Sequence, residues 1–114
     1  MEISTVTIPV SDQETALAFY TGPLGMAIRT DNPFPMGRWL TVAPEGGTTT
    51  LLLASWFPEM APIGGLILTA PDLDDLAGRL RSAGTTADGP SDEPWGRQLL
   101  FQDPFGNGFV VSQS

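Results

Sequence analysis

Pro35-Met36-Gly37-Arg38 returns 59 positions later as Pro94-Trp95-Gly96-Arg97, and each copy runs into an apolar, strand-like stretch. The echo extends on both sides. Ser11-Asp12 opens a helical pattern and Pro71-Asp72 opens another, while Gly46-Gly47 falls opposite Phe105-Gly106 in the turn before each last strand. Repetition of elements in the same order points to two similar halves, about 1–58 and 61–114, within a single domain of residues 1–114.

In the first half Ile3 to Val10 alternates as a strand with Val6, Ile8 and Val10 on one face. Ser11 and Glu14 have the spacing of a capping box for a helix through Ala16, Leu17, Phe19 and Tyr20, which Gly22-Pro23 stops. Strands fit Met26 to Thr30, Arg38 to Ala43 and Thr48 to Ala54, with Pro44 to Gly47 as the last turn. The second half repeats this with a strand from Gly65 to Ala70 and a helix capped by Asp72, bearing Leu73, Leu76, Ala77 and Leu80 on one face. Gly84 ends that helix. Strands near Thr85 to Ala87, at Gln98 to Gln102 and at Phe109 to Ser112 complete it, with Asp88 to Glu93 reading as an acidic loop. Each half is therefore βαβββ, an α+β class.

Counting removes much chemistry. The 114 residues include no cysteine and no histidine, and all five basic residues are arginine. Disulfides, thiolate sites, the usual general base and the Schiff-base amine are all absent. Ser55 and Ser112 lack a histidine to activate them. Thirteen acidic residues give a net charge of −8. That repels nucleic acid and anionic membrane, and favours cations where it does more than confer solubility. The most apolar stretch, Ala61 to Ala70, is half a membrane span and holds Pro62, Gly64 and Gly65. With no basic, apolar leader pattern after Met1, a cytoplasmic protein is expected.

Paired βαβββ halves, Val10-Ser11-Asp12 leading to Phe19-Tyr20, Leu24-Gly25, and Asp103-Pro104-Phe105-Gly106-Asn107 together resemble the vicinal oxygen chelate superfamily. It includes glyoxalase I, extradiol dioxygenases and bleomycin-resistance proteins. The resemblance implies a cupped mixed sheet built by both modules, usually in a homodimer, with the ligand inside the cup. It also implies four metal-ligand positions, which fall on Thr5, Leu51, Gly65 and Val110. None of these side chains offers the anionic or imidazole donor that a divalent metal needs, so no metal and no cofactor is expected.

If Val6, Ile8, Leu66 and Leu68 face the helices, the opposite faces line the cup. From the first strands these carry Thr5, Thr7, Gly65, Ile67 and Thr69. Keeping the parity adds Trp39, Thr41, Leu51 and Leu53 in one module, and Gln98, Leu100, Val110 and Ser112 in the other. Trp56 and Trp95 sit beside strands, with Phe34 and Phe57 near in sequence. These aromatics either stack on a planar ligand or pack the core or a dimer interface. Arg38 and Arg97 at equivalent repeat positions suit strand-end salt bridges better than a ligand carboxylate. The reading favoured is a metal-independent binder of a small organic molecule, such as a planar cationic antibiotic. The alternative is a lyase, isomerase or dioxygenase of the same superfamily.

Overall fold

The computed structural model describes residues 1–114 and contains two compact units, Met1–Pro62 and Ile63–Ser114. The first runs β1 (Thr5–Pro9), α1 (Gln13–Thr21), β2 (Ala27–Phe34), β3 (Gly37–Ala43) and β4 (Thr50–Ala54). The second repeats the order as β5 (Leu66–Ala70), α2 (Leu73–Ser82), β6 (Ala87–Glu93), β7 (Gly96–Gln102) and β8 (Gly108–Gln113). Each unit has one four-stranded sheet, ordered β1-β4-β3-β2 and β5-β8-β7-β6. The first strand of each unit pairs parallel with the last, and the other pairs are antiparallel. The α+β fold with paired βαβββ units is as expected.

Local chemistry explains the helix boundaries. The α1 N-cap is Asp12 rather than Ser11: its carboxylate accepts from the Glu14 amide at 3.1 Å and the Thr15 hydroxyl at 2.7 Å. A carboxylate one residue nearer the free amides displaces the capping-box arrangement, and those bonds hold the Asp12 carboxyl below its ordinary range, the Thr15 hydroxyl being the main cause. In α2 Asp72 accepts from the Asp75 amide at 3.0 Å, as its position predicted. Ala83 is the C-cap, and Gly84 follows it at φ +86°.

The helices pack on one face of their own sheets. Ala16, Phe19 and Tyr20 of α1 are buried with Ile8, Leu40, Val42 and Leu53. Leu73, Leu76, Ala77 and Leu80 of α2 are buried with Leu99, Phe101, Phe109 and Val111. Each fully buried leucine contributes about 1.5–3 kcal/mol relative to exposure, so these apolar stripes hold the helices in place.

Two strands are longer than their sequences suggest. β2 extends to Phe34, and Asp88 to Glu93 belongs to β6 rather than to a loop. Polar composition hid both. The register shifts between Asp88 and Ser91, where Gly89 sits at φ +109° and Gly89–Pro90 is cis. A Cβ on Gly89 would lie 3.0 Å from the Gln98 carbonyl oxygen, so the bulge requires glycine. Arg81 secures it by donating to the carbonyls of Ala87 (2.9 Å) and Gly89 (2.6 Å).

The Asp103-Pro104-Phe105-Gly106-Asn107 segment is a structural clasp inside the second unit. Asp103 Oδ1 accepts from the Phe105 and Asn107 amides, each at 2.9 Å, and its Oδ2 from Asn107 Nδ2 at 2.8 Å. Fully buried Asn107 accepts the Ile63 amide at 2.9 Å, which fixes the chain entering β5.

Candidate functional site

On β3, Arg38 and Trp39 point to opposite sides of the sheet. Arg38 turns to the helix: it pairs with Glu14 in the first turn of α1 and binds Asp31 of β2 through both carboxylate oxygens, at 2.9 and 2.7 Å. Gln13 reinforces this side by donating to the carbonyls of Arg38 (2.7 Å) and Leu53 (2.8 Å). The Arg38 guanidinium holds the Asp31 carboxyl below its ordinary range, and Asp31 raises Arg38 in turn. Arg97 of β7 repeats the arrangement with Asp74 of α2, at 3.0 and 3.2 Å, and lowers the Asp74 carboxyl likewise. Both arginines are salt-bridge residues, as their repeat position suggested.

Trp39 therefore emerges on the helix-free face, 44% exposed. Its ring stacks on Trp56 at a centroid distance of 6.0 Å and 26° between planes. Phe34, at the end of β2, stands edge-on to both, 5.9 Å from Trp39 and 4.7 Å from Trp56. Phe57 extends the cluster, 5.9 Å from Trp56 and 44% exposed. Two expected site residues thus meet, joined by two phenylalanines that only their proximity in sequence had flagged. On β2 and β3 beside Trp39, the Thr30 and Thr41 hydroxyls lie 2.6 Å apart; those of Thr5 and Thr50, 3.1 Å apart, lie at the far end of β1 and β4.

The register corrects part of the expected lining. Thr7 pairs with Leu52, and Leu52 with Thr41, so these three share the helix-free face. Leu51 pairs with Val6 and Val42, and Leu53 with Ile8, which puts both leucines on the helix side. The cause is a connection one residue longer between β3 and β4 than between β7 and β8. One extra residue inverts every side chain beyond it. Thr50 and Leu52 take the places read for Leu51 and Leu53, and Leu52 rather than Leu51 is the counterpart of Val110.

In the second unit the parity holds as read. Ile67, Val110 and Leu100 form one row across the sheet, and Thr69, Ser112 and Gln98 the next. Ile67 is 65% exposed. Trp95, in the turn before β7, donates its indole N–H to Gln98 Oε1 at 2.9 Å.

The side chains do not suit a divalent metal. Nowhere do three carboxylates come together as ligands would. The positions the resemblance assigns to ligands are Thr5, Leu52, Gly65 and Val110 once the register is corrected. Gly65 adopts φ +77°, a conformation that strains any L side chain, so glycine there answers a backbone need.

Comparison with known proteins agrees with this architecture. Residues 2–111 match the Glyoxalase/Bleomycin resistance protein/Dioxygenase superfamily. The uncharacterized protein YetH of Bacillus subtilis (strain 168) is 31% identical over 98% of both chains. The crystal structure of TnmS3, an antibiotic binding protein from Streptomyces sp. CB03234, superposes with a TM-score of 0.91 at 43% identity, over 99% of this chain and 95% of TnmS3. A glyoxalase/bleomycin resistance protein from the same Streptomyces gives a TM-score of 0.87 at 44% identity, over 98% of this chain and all of that one (100%). By its fold, its repeated units and its sequence, this chain belongs to the Glyoxalase/Bleomycin resistance protein/Dioxygenase superfamily.

Proposed function

We propose that this protein binds a small planar organic molecule, neutral or cationic and of antibiotic type, without a metal. The observation that carries the reading is the Trp39–Trp56 stack with Phe34 and Phe57 in the first unit, half-buried at Trp56 and Phe34 and exposed at Trp39 and Phe57. Covering the open part of one indole, about 100 Å², contributes ~2–3 kcal/mol gross, and stacking adds about 0.5–1.5 kcal/mol. The exposed Thr30 hydroxyl, bonded to buried Thr41, supplies polar recognition in an otherwise apolar setting. The net charge of −8 concentrates cations near the protein at low salt. The antibiotic-binding neighbour at 43% identity supports the same class of ligand. Four assigned metal positions without a carboxylate or imidazole support metal independence.

Titration with a panel of neutral and cationic planar aromatics, bleomycin-like glycopeptides included, tests the reading. Saturable quenching of tryptophan emission is expected, and a panel with neither saturable quenching nor a thermal shift would overturn it. The proposal extends to a homodimer, since β5 is a sheet edge and carries Ile67 exposed beside unpaired backbone groups. Light scattering at protein concentrations on the order of tens of micromolar, typical for such association, should give twice the chain mass. A monomer mass would remove this extension.

A further inference from the structure

The two units differ in how their third and fourth strands pair. In the second unit β7 stays in register with β8 from Gln102, opposite Gly108, to Gln98, opposite Ser112. In the first unit β3 pairs with β4 only at Val42, opposite Leu51, and Thr41, opposite Leu52, so the register stops short of Leu40 and Trp39. Beyond that point one side chain from α1 takes up backbone groups of both strands. Gln13 Nε2 donates to the carbonyls of Arg38 at 2.7 Å and Leu53 at 2.8 Å, and its Oε1 accepts the Arg38 amide at 3.2 Å. Two carbonyls at one end of the side-chain amide settle that end as the nitrogen, and both of its hydrogens are used. The repeat supplies the contrast. Gln13 follows the α1 N-cap, and the residue that follows the α2 N-cap is Leu73, fully buried and without a hydrogen-bonding group.

The strand positions that Gln13 holds are those from which the two stacked indoles emerge. Arg38 precedes Trp39, and Leu53 leads through Ala54 and Ser55 to Trp56. Gly37 adds a second link: a Cβ there would stand 3.1 Å from Gln13 Oε1 and 3.7 Å from Trp56 Cε3, whereas a Cβ on the equivalent Gly96 would meet nothing within 4 Å. We propose that Gln13 is the positioning residue of the aromatic cluster, its amide replacing strand pairing and setting the offset at which Trp39 and Trp56 meet a planar ligand. This rests on the ligand-binding reading above and assigns the geometry of that site to a residue of α1. Glutamate matches glutamine in length but cannot donate to the two carbonyls, and asparagine is one methylene shorter.

Two variants of the whole protein test this. Gln13→Met keeps an unbranched chain of similar length and removes all three bonds. Gln13→Glu keeps the acceptor, removes both donors and places an acid in the first helical turn, where the helix dipole favours it. The indole pair is read by its exciton-coupled circular dichroism, with Trp39→Phe as the baseline without the pair. Binding is read by tryptophan quenching with the tightest compound of the aromatic panel. Both variants should move the exciton band toward the baseline and, per folded molecule, bind about 2–10-fold more weakly, the span of one aromatic stacking contact. A purely structural Gln13 would lower the melting temperature yet leave the band and the affinity per folded molecule at wild-type values, which would overturn the proposal. A weakened band with unchanged affinity would overturn it too, by separating ring geometry from binding. If Gln13→Met does not fold, Gln13→Glu decides on the same two readouts, and loss of the fold in both would make Gln13 a structural residue. A wild-type protein that binds no panel compound saturably would overturn the ligand-binding reading, and with it the part of Gln13 in binding.

Discussion

Trp39 and Trp56 stack across the helix-free face of the first unit, 6.0 Å between ring centroids, although neither lies in the apolar core. A tryptophan packed in a protein interior is highly buried on average. Here two indoles and two phenylalanines form an aromatic ledge beside threonine hydroxyls, and the core beneath is built separately from Ile8, Leu40, Val42 and Leu53.

That separation has a mutational signature in adjacent residues. Leu40→Ala empties a fully buried site and should cost about 2–5 kcal/mol. Trp39→Ala removes a half-exposed ring and its aromatic contacts, and should cost about 1–2 kcal/mol while leaving a cooperative fold. Urea denaturation of the two variants checks the order, and a larger loss at Trp39 would make it a core residue.

Asn107→Ala should destabilise by about 2–4 kcal/mol, because it removes the acceptor of the Ile63 amide and the donor to Asp103 from a buried site. Serine, shorter but polar, should recover little. A loss below about 0.5 kcal/mol, within the range of ordinary surface changes, would show that the clasp does not hold the start of β5.

Acid should weaken the fold through Asp12, Asp31 and Asp74, whose carboxyls all sit below their ordinary range. Depressed folded values mean that the unfolded chain takes up protons first. The contribution is thus complete above the ordinary aspartate value near pH ~4 and disappears as pH falls through the lower folded values. Melting temperatures should drop on acidification below about pH 4, and Asp31→Asn with Asp74→Asn should start lower and fall less steeply. Parallel curves for the two proteins would exclude these ion pairs as the source.

Melting curves in excess Zn²⁺, Ni²⁺, Mn²⁺ or EDTA should coincide. A metal bound at one hundred times its Kd would add about 2.7 kcal/mol, a shift of several degrees for a chain of this size. A reproducible upward shift with one metal, reversed by EDTA, would contradict metal independence.

Most of the architecture was legible because repetition, helix caps and apolar periodicity all agree. Asp72 with Leu73, Leu76, Ala77 and Leu80 predicted α2 almost residue for residue. The β6 segment was not legible. Asp88 to Glu93 lacks the alternating apolar residues of a strand, and what makes it one is antiparallel pairing with β7 around a glycine bulge that Arg81 ties. The candidate faces were legible for the second unit and only partly for the first. Aligning Gly46-Gly47 with Phe105-Gly106 concealed one extra residue before β4, and strand periodicity turns one residue into a reversal of faces. Turn length was the available signal. The Trp95–Gln98 bond lay beyond sequence, since spacing alone does not say which way an amide turns.

The affinity of Trp39→Ala for the tightest ligand from the aromatic panel, measured per folded molecule against wild type, tests the stacking ledge most directly. At least a fivefold loss, on the order of 1 kcal/mol, is expected with the fold retained. An unchanged affinity in folded Trp39→Ala protein would contradict ligand stacking on the Trp39–Trp56 pair.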